Sequence, residues 1–383
     1  MIEKSLIVFI AALLLTACSL PAQSTNPVNS SGGNATSAVT IVSPTAAATV
    51  FASSATPNYA RKFAPLSPGD YTRQVPGWDN RPYSLHIPAN YNPANSYPVV
   101  LAIHGGGGSS DAMAKLTCPA GDPNDPNCLN KMADRRGLVI VYPNGTPNPN
   151  PRLAKLRTWN AGGGDKGFSC VSGVACKNKV DDIGYFKALL ADLENTVNVD
   201  QNRVYATGIS NGAAMCQRLA CELSDKIAAI APVSGGNQFS TVANCNPSRP
   251  VPVLEIHGTA DPGWPYDGGE NAKSLWNYIG ATPGKFISIP QTVADWVKRN
   301  GCNYSEAKDE ALPVIVNDDT TVTKTSYPAC KNGADVVFYK IENGGHTWPE
   351  GWQYFPVSMV GITSRNLNAN EVILDFFQDH PKQ

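Results

Sequence analysis

Val204-Tyr205-Ala206-Thr207-Gly208-Ile209-Ser210-Asn211-Gly212 decides how the rest of the chain is read. A short apolar run enters a G-x-S-x-G, and the residues that follow, Ala213 to Leu223, have helical character. A strand that passes through a glycine-bounded turn into a helix holds the serine at a sharp, strained bend. Its hydroxyl is then raised above the end of a sheet. Glycines two residues to either side are needed because a side chain there would strike the neighbouring strand or helix. The bend also sets Ser210 at a helix N-terminus, where backbone N–H groups favour a developing negative charge. Taken alone, the pattern equally describes a serine capping a helix after a glycine turn. Chain order decides between the two. A nucleophilic serine of this kind needs an acid and then a histidine downstream, and an oxyanion-binding loop upstream.

All three occur. Upstream, the strand-like Val99–Ile103 runs into His104-Gly105-Gly106-Gly107-Gly108. Glycines permit the close approach and unusual dihedrals by which a backbone N–H reaches an oxyanion, and a second N–H comes from the residue after the nucleophile. The first donor is assigned to Gly106, with Gly105 as the alternative, and the second to Asn211. The plain reading of the glycines is a flexible turn or an anion-binding nest. Downstream, the apolar Val251–Ile256 leads to His257-Gly258-Thr259-Ala260-Asp261, which puts Asp261 just past a strand end; Asp267 is the rival acid. The base is His346, in Gly344-Gly345-His346-Thr347-Trp348-Pro349 after the strand-like Val336–Ile341. Of the five histidines, His86, His104 and His257 fall too early and His380 lies in the terminal tail. His346 would take the proton of Ser210 and return it to a leaving alcohol, while Asp261 holds the imidazole tautomer.

From Tyr83 onward, strand-like and helix-like segments alternate. Tyr83–Ile87, Leu138–Tyr142 and Ala228–Val233 join the strands above. Asn127–Arg136, a helix begun by Asp181 or Asp182, Gln291–Asn300 and Asn370–His380 supply helices. Ile183, Phe186, Leu190, Leu193 and Val197 recur at helical spacing. Such alternation predicts an α/β fold, a mostly parallel central sheet with helices on both faces. Three long Gly/Pro/Asn-rich loops, Gly105–Asn127, Asn144–Lys179 and Ala260–Phe286, follow predicted strands and should wall the site. Trp159, Trp264, Tyr266 and Trp348 lie in or beside them. Trp348, Trp264 and Trp159 are the candidate substrate contacts, and the plain alternative is packing beneath the loops.

The chain has 383 residues, 42% of them hydrophobic and 16% charged, with a formal net charge of −1. That is a globular composition, and near-neutrality argues against nucleic acid as a partner. Lys4 and the apolar Leu6 to Leu15 precede Leu15-Thr16-Ala17-Cys18, a tetrapeptide like a bacterial lipobox. Residues 1–17 therefore read as a lipoprotein signal peptide and Cys18 as the lipidated residue. That makes the protein extracytoplasmic and anchored to a membrane through its acyl chains, with the outer membrane or cell surface favoured. An ordinary signal peptide is the alternative. Residues 18–62, rich in Ser, Thr, Ala and Pro, read as a tether, and residues 63–383 as the catalytic domain. The ten cysteines suit an oxidising compartment. With Cys18 set aside an odd one remains. Proximity suggests Cys118–Cys128, Cys170–Cys176, Cys221–Cys245 and Cys302–Cys330, leaving Cys216 buried and free. No metal-ligand spacing and no cofactor motif is present.

The set HGGGG, GISNG, HGTAD and GGHTWP resembles the secreted esterases that include polyhydroxybutyrate depolymerases, feruloyl esterases and related lipoproteins. This is the carbohydrate esterase family 1 type of α/β-hydrolase, and the similarity spans roughly residues 70–380. The resemblance implies a serine esterase with Ser210, Asp261 and His346 as its triad, and it supports a Cys302–Cys330 disulfide. Its substrate would be feruloyl or acetyl esters of plant polysaccharide, or alternatively a poly(3-hydroxybutyrate) polyester. A peptidase would use the same nucleophile, but no extra β-propeller or peptide-binding domain is present in the sequence; a silent surface-binding lipoprotein on the same fold would need no such triad.

Overall fold

The computed structural model describes residues 65–163, 170, 173–238, 245–270 and 285–383, together with the backbone of the strand Ser54–Ala55. The signal segment 1–17, Cys18 and all of the tether except that strand lie outside the described residues. So do residues 271–284 of the third long loop.

One sheet of eleven strands organises the domain. In chain order they are β1 (Ser54–Ala55), β2 (Gly69–Gln74), β3 (Pro82–Ile87), β4 (Asn95–Ile103), β5 (Val139–Pro143) and β6 (Val199–Ile209). Then come β7 (Ile230–Val233), β8 (Val253–Gly258), β9 (Lys308–Ala311), β10 (Thr321–Tyr327) and β11 (Val336–Glu342). The spatial order is β9-β10-β11-β8-β7-β6-β4-β5-β3-β2, with β1 pairing β4. The centre, from β5 through β4, β6, β7 and β8 to β11, is parallel. Both ends are antiparallel, β2 and β3 on one side and β9 and β10 on the other, and β1 also pairs antiparallel. The sheet is therefore mixed, which corrects the expectation of a mostly parallel one. The added strands escaped the sequence reading for a physical reason. β9 is Lys-Asp-Glu-Ala with every residue exposed, and β10, Thr-Val-Thr-Lys-Thr-Ser-Tyr, fully buries Val322 alone, so neither carries a core-facing apolar run.

Helices cover both faces, as alternation along β4 requires. Val99, Leu101 and Ile103 pack with α3 (Asp182–Glu194), α4 (Asn211–Glu222) and α5 (Ile289–Asn300). Val100 and Ala102 face the other way, toward α1 (Ser110–Leu116), α2 (Leu129–Arg136) and α6 (Ala369–Asp379). On that face the Tyr205 and Phe377 rings stack at 4.6 Å. The helix starts are chemically marked: the side chains of Asp181 and Ser288 accept the N–H groups of Gly184 and Gln291. α1 lies inside what the sequence presents as a long glycine loop, opened by Ser109 accepting from Ala112 N–H.

Register brings five loops to one edge. Ile103 is level with Gly208, Ile209 with Val233, Val233 with Ile256, and Gly258 with Ile341. The segments that follow these strands all emerge at the carboxyl end of the parallel strands, where ligands bind in open α/β sheets.

Four disulfides brace the periphery: Cys118–Cys128, Cys170–Cys176, Cys221–Cys245 and Cys302–Cys330, while Cys216 is buried and free. The last joins the end of α5 to the segment before β11 across 28 residues. Chain-entropy reasoning gives such a closure about 3–4 kcal/mol. Cys302→Ser with Cys330→Ser should lower the unfolding free energy by about that amount in urea titrations, with a steeper slope as the released unfolded chain exposes more surface.

Beneath α4, Glu255 of β8 is buried and accepts from Gln217 Nε2 at 3.0 Å, and Trp296 Nε1 donates to the Gln217 carbonyl oxygen. Burial pushes this carboxyl well above the usual range. A carboxyl raised on folding keeps its proton in the native state after the unfolded chain has lost it. Stability then falls as pH rises from the unfolded value toward the native one. Glu255→Gln should match wild type in melting temperature near pH 4.5 and exceed it increasingly toward pH 8, as read by circular dichroism.

Candidate active site

Ser210 stands between the end of β6 and the first residue of α4 with φ 58° and ψ −120°. L-residues rarely hold this conformation, and here the surroundings enforce it. A Cβ on Gly208 would lie 2.5 Å from the Ile103 carbonyl oxygen, and one on Gly212 would collide with the carbonyls of Ile103 and His104. The turn therefore lies directly against β4, and only glycine fits on either side of the serine. Ser210 N–H is held by the Val233 carbonyl at 3.0 Å. The serine keeps a relative exposure of 6%.

Asp261 and His346 follow the ends of β8 and β11, beyond β7 in the sheet. His346 Nδ1 is 2.9 Å from both Asp261 oxygens. Asp261 Oδ1 also accepts from the Gly263 and Trp264 N–H groups, each at 2.7 Å. A buried carboxylate with this many donors is held in one orientation. Asp267, the rival acid, is exposed on the same loop. His257 stands behind Asp261, fully buried and neutral because burial pulls its imidazole below the usual histidine range. Its Nε2–H donates to the Trp264 carbonyl at 2.9 Å and lies 3.4 Å from Asp261 Oδ2. The acid loop can reach the base loop because Gly258 and Gly344 touch: a Cβ on Gly258 would occupy the Gly344 carbonyl. Ala260 N–H then bonds that same carbonyl at 3.0 Å.

Serine and histidine lean on successive residues of one segment. Val233 accepts from Ser210 N–H, and Ser234 Oγ donates to the Thr347 carbonyl at 3.0 Å. Tyr354 Oη donates to the His346 carbonyl at 2.8 Å. Ser234 and Tyr354 were not anticipated from the sequence. The dense aromatic stretch Trp352-Gln353-Tyr354-Phe355 just past His346 was the available signal for the second.

The glycine loop lies beside Ser210, and a Cβ on Gly105 would come within 3.3 Å of Ser210 Cβ. Burial pushes the His104 imidazole down to about 3, so it is neutral. Its Nδ1–H donates to the Gly105 carbonyl at 2.7 Å, and its Nε2 accepts from Gly145 N–H at 3.0 Å. Gly108 N–H donates to that Gly105 carbonyl as well. A trans peptide points its C=O and N–H in opposite directions, so the Gly106 N–H faces away from the His104 ring. Asn211 begins α4, and its N–H has no acceptor within the helix.

The three tryptophans need correction as substrate contacts. Trp159, Trp264 and Trp348 each have a relative exposure of 0% and present no ring face to a ligand in this structure. Trp348 Nε1 bonds Asn370, Trp159 Nε1 bonds the His104 carbonyl, and Trp264 packs edge-on against Phe286. Large apolar rings in glycine-rich loops supply the loops' own packing, which is the alternative the sequence left open. Tyr266, Trp352, Tyr354 and Phe355 are the partly exposed aromatics in these same loops.

No family model matches the chain. It is 30% identical over 301 residues to the protein named "Putative esterase NocK" of Nocardia uniformis subsp. tsuyamanensis, spanning 77% of this chain and 78% of that one. It is 27% identical over 268 residues to feruloyl esterase D of Neurospora crassa, spanning 70% of this chain and 74% of the relative. Among solved structures, an acetyl xylan esterase from Aspergillus awamori aligns at a TM-score of 0.48 and 15% identity. That alignment covers 73% of this chain and 94% of that one. Similarity that runs through more than three quarters of both chains in the first of these places the protein in that esterase's family, and it is a carboxylic ester hydrolase.

Proposed function

We propose that the protein is a serine esterase in which Ser210, His346 and Asp261 act as a triad, with the N–H groups of Gly106 and Asn211 as the oxyanion hole. The observation that carries this reading is the pair of 2.9 Å contacts from His346 Nδ1 to Asp261, made at the same sheet edge where Ser210 sits on its strained turn. With Nδ1–H engaged by the carboxylate, Nε2 is left as the basic nitrogen. Ser210 Oγ attacks the ester carbonyl as its proton passes to His346 Nε2. The oxyanion that forms is met by the two N–H groups. Collapse breaks the ester C–O bond, and His346 returns the proton to the departing alcohol. Water then repeats the sequence on the acyl-serine, releasing the acid and restoring the serine.

The substrate is an ester-bearing plant polysaccharide, and its scissile bond joins a feruloyl or acetyl group to sugar. The named feruloyl esterase relative supports this assignment. The chain acts outside the cytoplasm, displayed on a tether from an acylated Cys18. Support comes from Leu15-Thr16-Ala17-Cys18 and from the disulfides, which suit an oxidising compartment.

Ser210→Ala should lower kcat on a short p-nitrophenyl ester by at least about a thousandfold, and retained turnover would remove the mechanism. Asp261→Asn should be severely impaired while Asp267→Asn keeps nearly full activity; the reverse would move the acid. Initial rates on methyl ferulate, acetylated xylan and a polyhydroxybutyrate suspension identify the acyl group. Turnover confined to the polyester would replace the polysaccharide reading. Cys18→Ser should release the protein from the membrane fraction, and unchanged fractionation would remove the anchor.

A further inference from the structure

We infer that Trp159 is a positioning residue that fixes the spacing between the two oxyanion donors. The inference rests on the esterase reading of Ser210 and adds a part to it. The two donors come from segments far apart in sequence, the glycine loop after β4 and the turn after β6. Something must hold them at a set distance, since an oxyanion accepts both bonds only when each N–H lies about 2.7–3.1 Å from it.

Trp159 touches both segments. Its indole Nε1–H donates to the His104 carbonyl at 2.9 Å, which orients the peptide leading into Gly105 and Gly106. Its backbone N–H donates to Asn211 Oδ1 at 2.8 Å, and Asn211 Nδ2 donates back to the Trp159 carbonyl at 3.2 Å. The carboxamide of Asn211 thus pairs with one residue as a neighbouring strand would, and the whole arrangement is buried. The glycine loop adds a further bond, Gly107 N–H to the Arg157 carbonyl at 2.8 Å, two residues before Trp159.

Trp159 is itself fixed from behind. Its ring packs on Phe186 at 5.3 Å, and the Arg81 guanidinium lies 5.2 Å from its ring centre and 3.7 Å from that of Tyr185. Arg81 pairs with Asp182, the first residue of α3, and Asp182 accepts the N–H of Asn160. The tryptophan therefore has little freedom to follow the loops; the loops must follow it. This explains why a large ring sits wholly buried beside a site it cannot line.

The test uses the full chain with Trp159→Phe, which keeps an aromatic ring and removes the bond to His104, and Asn211→Ala, which removes the clasp and keeps the backbone donor. Each should lower kcat on a p-nitrophenyl ester about 10–100-fold with KM within about twofold. Each should also weaken inhibition by phenylboronic acid, whose tetrahedral adduct on Ser210 presents an oxyanion, by a comparable factor. The double variant should lose much less than the product of the single losses, because both act through one residue. Should Trp159→Phe fail to fold, Asn211→Ala carries the same expectation. The inference is overturned if kcat stays within about twofold of wild type in the folded variants, or if kcat falls while the boronate inhibition constant is unchanged. Ser210→Ala in the same assay separates the two readings. If it retains turnover, the esterase mechanism fails. If it is inactive while the folded variants are unimpaired, only the role of Trp159 fails.

Discussion

The sheet edge at which Ser210, Asp261 and His346 gather depends on the turn after β6 lying against the carbonyl oxygens at the end of β4. That contact leaves no room for side chains at Gly208 and Gly212, and it forces Ser210 into its positive-φ conformation. It also brings the end of β6 level with the start of the glycine loop, so Ser210, Asn211 and that loop come to one place as a by-product of strand packing. Backbone strain of this kind costs about 1–3 kcal/mol and persists only where the surroundings over-determine it. Here β4, β7 and the helix beginning at Asn211 do so together.

Around that turn the polar groups are buried, oriented and held by backbone atoms. Asp261 takes two backbone N–H groups besides His346, and His257 fastens the far end of the same loop at Trp264. His104 is neutral and bonded through both ring nitrogens. Such a site has little reorganisation left to undergo when charge develops, and that preorganisation is the main source of electrostatic stabilisation in enzymes. The four disulfides and the antiparallel ends of the sheet lie outside this centre and brace it.

The elbow, the parallel strands and the order serine, acid, histidine were legible in the sequence because each leaves a local mark: a glycine spacing, an apolar run, a polar residue at a strand end. The geometry then set Asp261, not Asp267, against His346. The outer strands were not legible, because Lys308–Ala311 is wholly exposed and Thr321–Tyr327 buries only Val322, so neither carries apolar alternation. The tryptophans misled for the opposite reason. A large ring in a polar loop looks like a ligand contact, and nothing local says that Trp159 turns inward to meet His104 and Asn211. Ser234 and the Asn211 carboxamide act through partners more than 50 residues away, Thr347 and Trp159, which no local pattern encodes.

Cys216 has a consequence for how the molecule is made. It is the one unbridged thiol among the described residues, on the same helix as Cys221, which must pair with Cys245. In the native state it is inert, since it is wholly buried and burial holds the thiol well above its usual range, away from the reactive thiolate. In the unfolded chain it has neither protection and competes with Cys221 for the same partner. A Cys216–Cys245 bridge formed there would have to be exchanged for Cys221–Cys245 to reach the native pairing. The helix that begins at Asn211, once docked, hides one sulfur and leaves its neighbour to the bridge.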